Sequence, residues 1–310
     1  MKNYVVLYNP LANNGRAEEA ARKLESILTD GEIRFVDLAA LGSFYDFFVS
    51  CDDDCIVIIT GGDGTLNETI NGVIGMPRRV PVDYLPAGTT NDLAASLNLP
   101  VKLQEAADII KAGHTNDYDI GLFNNRYFTY IATFGAFTQN SYTTPQKLKN
   151  RFGHAAYVFS AAKEIKDIHG IHMKVEYDGG VIEGEFCFGS ISNSSSVAGM
   201  FNLREDDVRL NDGIFEVFLV RKMNLVKLAK TVLEVMNQKY DPKKVLYTQT
   251  SKIRLTSPDE AVSWTLDGEF GGTHREVMIH ILERAVRICT PENPLFIKHP
   301  HQASEIVDKD

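Results

Sequence analysis

Three short stretches of this chain have the residue types and spacing for chemistry. The first is Gly61-Gly62-Asp63-Gly64, which breaks an apolar β-branched run (Ile56, Val57, Ile58, Ile59) and leads into a helical pattern. A buried strand, a glycine turn and a helix start in that order make an anion site, because glycine lets backbone approach a phosphate and the helix end carries partial positive charge. Asp63 puts a carboxylate where phosphates would sit, which makes sense if a Mg2+ ion lies between the like charges; the alternative is a tight turn in which Asp63 satisfies local backbone donors. The second stretch is Asp267-Gly268-Glu269, and the third Asn211-Asp212-Gly213. Asp-Gly is a common hairpin turn, so alone the second reads as a turn with solvent-facing acids. The third reads as a turn or as an oxygen-ligand site for a hard cation.

These residues need elements to position them. Residues 4–8 read as a first buried strand ending at Asn9-Pro10, followed by a loop at Asn13, Asn14 and Gly15 and a helix over 16–28. A second strand over 33–38 and a short helix over 41–49 precede the glycine loop. Thr65 and Glu68 have capping-box spacing, which predicts Thr65 as the N-cap of the next helix. A fourth strand over 80–85 ends in Pro86-Ala87-Gly88-Thr89-Thr90-Asn91-Asp92, where a helix runs to Leu97. This alternation predicts a doubly wound parallel sheet, with its three polar loops converging beyond the strand ends. Past residue 124 strands dominate: 126–133, 171–177, 181–190, 214–220, 244–250, 251–256, 261–266 and 277–282. A lysine-bearing helix is expected over 146–168, either a solvated face or a surface for anionic headgroups. The fold class is therefore α/β plus β: a parallel α/β domain over 1–125 with a tail over 289–310, and an antiparallel β-sandwich domain over 126–288.

Composition bounds the function. The chain has 310 residues, 44% of them hydrophobic, enough for two cores, and a net charge of −9 that argues against a nucleic-acid binder. Four scattered cysteines make no disulfide framework, and the eight histidines show no metal-ligand pairing. Neither a secretory h-region nor a bilayer-spanning run is present, so a cytoplasmic protein is expected. No Walker A pattern and no G-x-G-x-x-G follow the first strand, which excludes an ordinary P-loop NTPase or dinucleotide dehydrogenase.

GGDGTLNE at 61–68, NPLANNG at 9–15, LPAGTTND at 85–92, YDIG at 118–121 and TLDGE at 265–269 occur in this order. Together they resemble the diacylglycerol kinase catalytic family, in particular its soluble bacterial lipid kinase branch, with sphingosine kinases and NAD kinases as wider relatives. The resemblance implies an NAD kinase/phosphofructokinase-like first domain and Mg2+-dependent transfer of the γ-phosphoryl group of ATP to a lipid hydroxyl. For the diglyceride members the product is phosphatidic acid. It implies nucleotide contacts at Asn9, Pro10, Leu11, Ala12 and Asn13, at Gly61, Gly62, Asp63, Gly64, Thr65, Leu66 and Asn67, and at Thr89. Glu269 matches the family's general base, while Asp63 and Asp119 match acids needed near Mg2+. Asp212, with the carbonyls of Arg209 and Ile214, matches a structural Mg2+ site. Arg16 stands where a lysine is common, and Ser160 where a related enzyme has lysine, so that either Lys163 substitutes or the contact is absent. A lipid partner at a membrane surface is implied, with peripheral attachment through a local basic or apolar patch. A homodimer is left open. The alternatives are a kinase of another lipid, sphingoid or related, a kinase of NAD, and a non-catalytic nucleotide sensor.

Overall fold

The computed structural model describes residues 1–10, 15–52, 55–74, 76, 80–88, 91–136, 168–197, 201–202, 208–237, 239–293 and 295–297. Chain contacts divide the molecule into two compact units: Met1–Asp119, Glu205–Gly213 and Glu283–Asp310 form the first, Ile120–Arg204 and Ile214–Leu282 the second. The expected helix over 146–168 lies outside the described residues apart from its last position.

The first unit opens with β1 (Lys2–Tyr8), α1 (Arg16–Lys23), β2 (Gly31–Asp37), α2 (Phe44–Ser50) and β3 (Cys55–Gly61). It continues through α3 (Asp63–Val73), β4 (Pro81–Pro86), α4 (Asp92–Ser96) and α5 (Leu103–Ala112). β1 pairs in parallel with β2 on one side and β3 on the other, and β3 pairs in parallel with β4. The order β2-β1-β3-β4 reverses direction between β1 and β3. In such sheets that switch point opens a crevice at the carboxyl ends of the two strands, here Asn9 and Gly62. Tyr4, Val6 and Ile58 pack against Ala21 of α1, Leu24 just after it, and Ala106 and Ile110 of α5. The central strands are buried on both faces, which is why Val57–Ile59 read as an unbroken apolar run. α5 escaped the sequence reading because its moderate amphipathic pattern follows a proline-ended loop without a capping residue.

The second unit takes up the chain within β5 (Thr115–Phe123), then β6 (Arg126–Phe128), β7 (Ile131–Gly135), β8 (Ile171–Tyr177), β9 (Gly180–Ser192), and the short pair β10 (Ser196–Val197) and β11 (Phe201–Asn202). β12 (Phe215–Arg221), α6 (Leu225–Met236), β13 (Val245–Thr250), β14 (Lys252–Thr256), β15 (Val262–Leu266) and β16 (Glu269–His274) follow. β17 (Glu276–Cys289) starts here and ends in the first unit. Every ladder within the second unit for which a register is seen is antiparallel. The long β9 pairs with β8 along its first half and with β7 and β12 along its second, so it serves both layers of a sandwich. Trp264 is at the centre of the core, 5.0 Å from Phe123 and 4.9 Å from Phe134 between ring centroids.

Two expectations are corrected. Residues 126–133 form two strands, because the chain turns at Thr129-Tyr130, and residues 277–282 are part of one strand that runs on to Cys289. Past Arg284, whose φ is 51°, β17 pairs in parallel with β4 of the first unit.

Candidate active site

The glycine loop is built differently from its capping-box reading. α3 begins on Gly62 as N-cap, with Asp63 in its first turn, and Thr65 is buried inside the helix. A Cβ on Gly61 would lie 2.6 Å from the Thr65 side chain, so the hydroxyl that could have capped instead packs against the end of β3. Thr65, Leu66, Thr69, Ile70 and Val73 form the buried stripe of the helix. Leu66 is core, and its amide donates to the Gly62 carbonyl, so it has less to give a ligand than its neighbours. Asn67 accepts from the Asn71 side chain at 3.0 Å.

The loop after β4 is locked against it. The Ala87 amide donates to the Gly61 carbonyl at 2.8 Å, and a Cβ on Gly88 would sit 2.5 Å from Gly62 Cα. These glycines are needed for backbone-to-backbone approach, since neither Gly62 nor Gly88 has a positive φ. Asn91, at φ 52°, accepts from the Gly88 amide at 2.9 Å and donates to the Gly88 carbonyl at 3.1 Å, closing the loop on itself. Its side chain is thereby turned away from the start of α4. The acceptor there comes from elsewhere: Asp63 Oδ1 takes the Leu93 amide at 3.2 Å across thirty positions of sequence. The buried Tyr84 hydroxyl is within hydrogen-bond reach of both the Gly61 carbonyl, at 3.2 Å, and Asn91 Oδ1, at 3.4 Å. Burial, then the Asp63 charge, push its proton affinity up.

Of the remaining expected nucleotide contacts, Asn9 and Pro10 follow β1 at the same switch point, half-buried. Leu11, Ala12, Asn13 and Thr89 lie outside the described residues, as do Ser160 and Lys163. Arg16 is the exposed first residue of α1.

A second acidic group gathers around the turn at residues 211–213. Asp119 is fully buried; its Oδ1 accepts the Arg284 amide at 2.5 Å and its Oδ2 the Gly213 amide at 2.7 Å. Burial raises its pKa to about 6, the two amides pull it back, and the nearby Asp212 and Glu283 charges push it up again. Asp119 thus joins the Asp212 turn, which the sequence reading treated apart from it. Asn211 holds both the amide and the carbonyl of Ile297, at 2.8 and 3.1 Å, and so ties the tail to this turn.

In the second unit, Asp267 and Gly268 have φ of 47° and 90° and form a two-residue hairpin turn between β15 and β16. Asp267 does not face solvent as the sequence reading supposed. Its carboxylate takes the Thr129, Tyr130 and Ile131 amides and the Thr129 hydroxyl at 2.5–3.1 Å. Burial pushes this carboxyl up, and those donors push it down. Glu269 follows as the exposed first residue of β16.

Comparison with known proteins places the chain. The diacylglycerol kinase catalytic domain model matches residues 3–123, and the YegS C-terminal NAD kinase beta sandwich-like domain model matches residues 138–290. A Staphylococcus epidermidis protein named diacylglycerol kinase is 32% identical over 302 residues, covering 93% of this chain and 92% of its own. The chain belongs to the diacylglycerol kinase family. A second member, from Staphylococcus haemolyticus, is 36% identical over 239 residues, covering 77% of this chain and 72% of its own. Among solved structures, a diacylglycerol kinase from Bacillus anthracis superimposes with TM-score 0.68 at 21% identity, over 96% of this chain and 98% of that one. Yeast NADH kinase in complex with NADH does so with TM-score 0.53 at 11% identity, over 94% and 84%. These two structures establish the fold: a parallel α/β domain with a β-sandwich domain.

Membership in this kinase family gives the assembled loops a context. Tyr84 is a loop-supporting residue that the sequence reading did not single out, and Asn91 and Asp267, though inside its motifs, were given no such contacts. For Asn91 the signal available was its type, since asparagine tolerates the left-handed backbone and bonds to nearby backbone, here Gly88. Among the described residues no helix is long and apolar enough to cross a membrane, and no cluster of three or more His, Cys, Asp or Glu side chains could hold a metal ion. A site of one carboxylate with backbone carbonyls is of a different kind. The charge environment of the Asp212 turn suits it, since Asp212 and Glu283 both raise Asp119 through like charge that a cation would relieve.

Proposed function

We propose that the protein is a Mg2+-dependent lipid kinase that transfers the γ-phosphoryl group of ATP to the free hydroxyl of diacylglycerol, giving phosphatidic acid. The observation that carries this reading is the pair of interlocked loops after β3 and β4, the first of them bordering the β1/β3 switch point, with Asp63 bridging the starts of α3 and α4. Transfer of a phosphoryl group asks chiefly for positioning and for neutralisation of charge on the phosphate oxygens. Backbone amides of the glycine loop and the start of α3 supply donors, and Asn9 and Pro10 border the nucleotide. Asp63 would hold the catalytic Mg2+, which neutralises phosphate charge when bound. Asp212, with the Arg209 and Ile214 carbonyls, would hold a structural Mg2+ beside Asp119. Glu269 is the proposed general base: it takes the proton of the acceptor hydroxyl as that oxygen bonds to the γ-phosphorus and the bond to the bridging oxygen of ADP breaks. A diglyceride acceptor puts the enzyme at a membrane surface.

The test is incubation with labelled ATP, a mixed lipid extract and NAD. Label is expected in phosphatidic acid; label in NADP or in a sphingoid phosphate would replace the acceptor, and no transfer would leave a nucleotide sensor. Glu269→Gln should keep ATP binding and lose turnover by roughly 10²–10⁴-fold. Near-normal kcat would remove it as the base.

A further inference from the structure

We propose that Asp267 is a positioning residue for Glu269, clipping the β15–β16 hairpin to the turn between β6 and β7 and so setting where the neighbouring acid is presented. The proposal rests on the reading of Glu269 as the base. A two-residue hairpin with positive φ at both positions needs a residue tolerant of the left-handed region, and asparagine serves there at least as well as aspartate. It does not need a buried carboxylate. Yet Asp267 Oδ2 accepts the Thr129 amide and hydroxyl, and Oδ1 accepts the Tyr130 and Ile131 amides, while its own amide donates to the Ile131 carbonyl at 2.9 Å. Three consecutive amides converging on one anion form the nest that elsewhere binds a ligand, and here the anion is the protein's own.

The consequence falls on Glu269. It stands two positions after the clip, paired across the hairpin with the buried Leu266, and its side chain is exposed. An exposed carboxylate gains its placement from the backbone beneath it. A displacement on the order of 1 Å is enough to cost a proton-transfer group about 10²-fold. The clip joins segments more than 130 residues apart in sequence, so no local turn preference can replace it.

Asp267→Asn isolates the clip from the turn: it keeps the side-chain size and the left-handed preference, and replaces one acceptor oxygen by an amide that faces N–H donors. Thr129→Val removes the hydroxyl donor alone and leaves three amides in place. Turnover on diacylglycerol and KM for ATP are measured for both variants, for Glu269→Gln, and for each variant combined with Glu269→Gln. Asp267→Asn is expected to lower kcat roughly 10–100-fold with KM for ATP within about twofold, and Thr129→Val to lower it a few-fold. In the Glu269→Gln background neither should slow the enzyme further, because the clip acts through Glu269. Multiplicative losses in that background, or wild-type kcat in both single variants, would overturn the role of Asp267. If Asp267→Asn does not fold, the Thr129→Val cycle decides alone by the same criterion. Wild-type turnover by Glu269→Gln is a separate result, which would sink the reading of the base itself.

Discussion

The glycine loop of the first unit and the Asp267–Glu269 hairpin of the second both end a buried strand with an acid, and they hold it by opposite means. In the first, backbone touches backbone: Gly62 and Gly88 leave room for two loops to interlock, and Asp63 reaches from one to the start of the other's helix. In the second, a side chain gathers backbone: Asp267 collects three amides and a hydroxyl, and the next acid is presented from a fixed turn. The difference follows from sheet type. A parallel sheet brings the loops after its strands to one end, so neighbouring loops can grip each other directly. An antiparallel sheet scatters its turns, and a hairpin must be anchored to whatever passes beside it.

The comparison breaks most visibly if the two acids are interchangeable in their effect. Asp63→Asn should cut Mg2+-dependent turnover by on the order of 10³-fold and abolish the metal's effect on nucleotide affinity, whereas Glu269→Gln leaves that affinity intact. Unchanged Mg2+ dependence in a titration of the Asn variant would take Asp63 out of the metal's reach.

A buried carboxylate without such an array of amides sharpens the contrast. Asp83 lies in the middle of β4, 4% exposed, and burial raises its pKa to about 7, with the Cys289 thiol and Lys2 opposing. The folded state therefore holds a proton that the unfolded chain releases near pH 3.8. Stability from this group is complete below that pH, falls as pH rises through the window up to about 7, and stays low above it. Three pKa units at about 1.4 kcal/mol each give a loss on the order of 4 kcal/mol. Denaturant unfolding at pH 5 and pH 8 should show Asp83→Asn without this slope, and more stable than the native chain at the higher pH. An identical slope in the variant would mean that Asp83 stays ionised in the folded protein.

The smallest effect is expected at the loop contact. Gly88→Ala puts a methyl 2.5 Å from Gly62 Cα and 2.6 Å from Asn91 Oδ1. It should cost about 1–3 kcal/mol of stability and raise KM for ATP about tenfold. A variant with unchanged KM would show that the two loops are gripped for stability alone.

The same contrast explains what was legible in the amino-acid order. Strand, glycine turn and helix lie side by side in residues 55–73, so the glycine loop and the parallel sheet around it were readable from one window. The capping box misled because Thr65 had a second use: its side chain fits the space that Gly61 leaves, and burial there outweighs a cap. Asp63 as acceptor for Leu93 depends on two loops meeting, which a sequence window does not contain. Asp267 was read as a solvent-facing turn acid because its partners, Thr129 to Ile131, are about 137 positions away. A separation of 94 positions likewise hid the association of Asp119 with the Asp212 turn.

β17 carries a practical consequence for anyone dividing the chain. The first unit is assembled from three pieces, and the family match to its catalytic model ends at residue 123, before two of them. A fragment cut there would lose the parallel partner of β4 at Arg287–Ile288 and the tail that Asn211 pins. It would expose a raw strand border of unpaired amides and carbonyls, an invitation to stack with another copy. Expression of the catalytic half by itself should yield precipitate, and a soluble version calls for splicing the terminal strand back in through a designed connection.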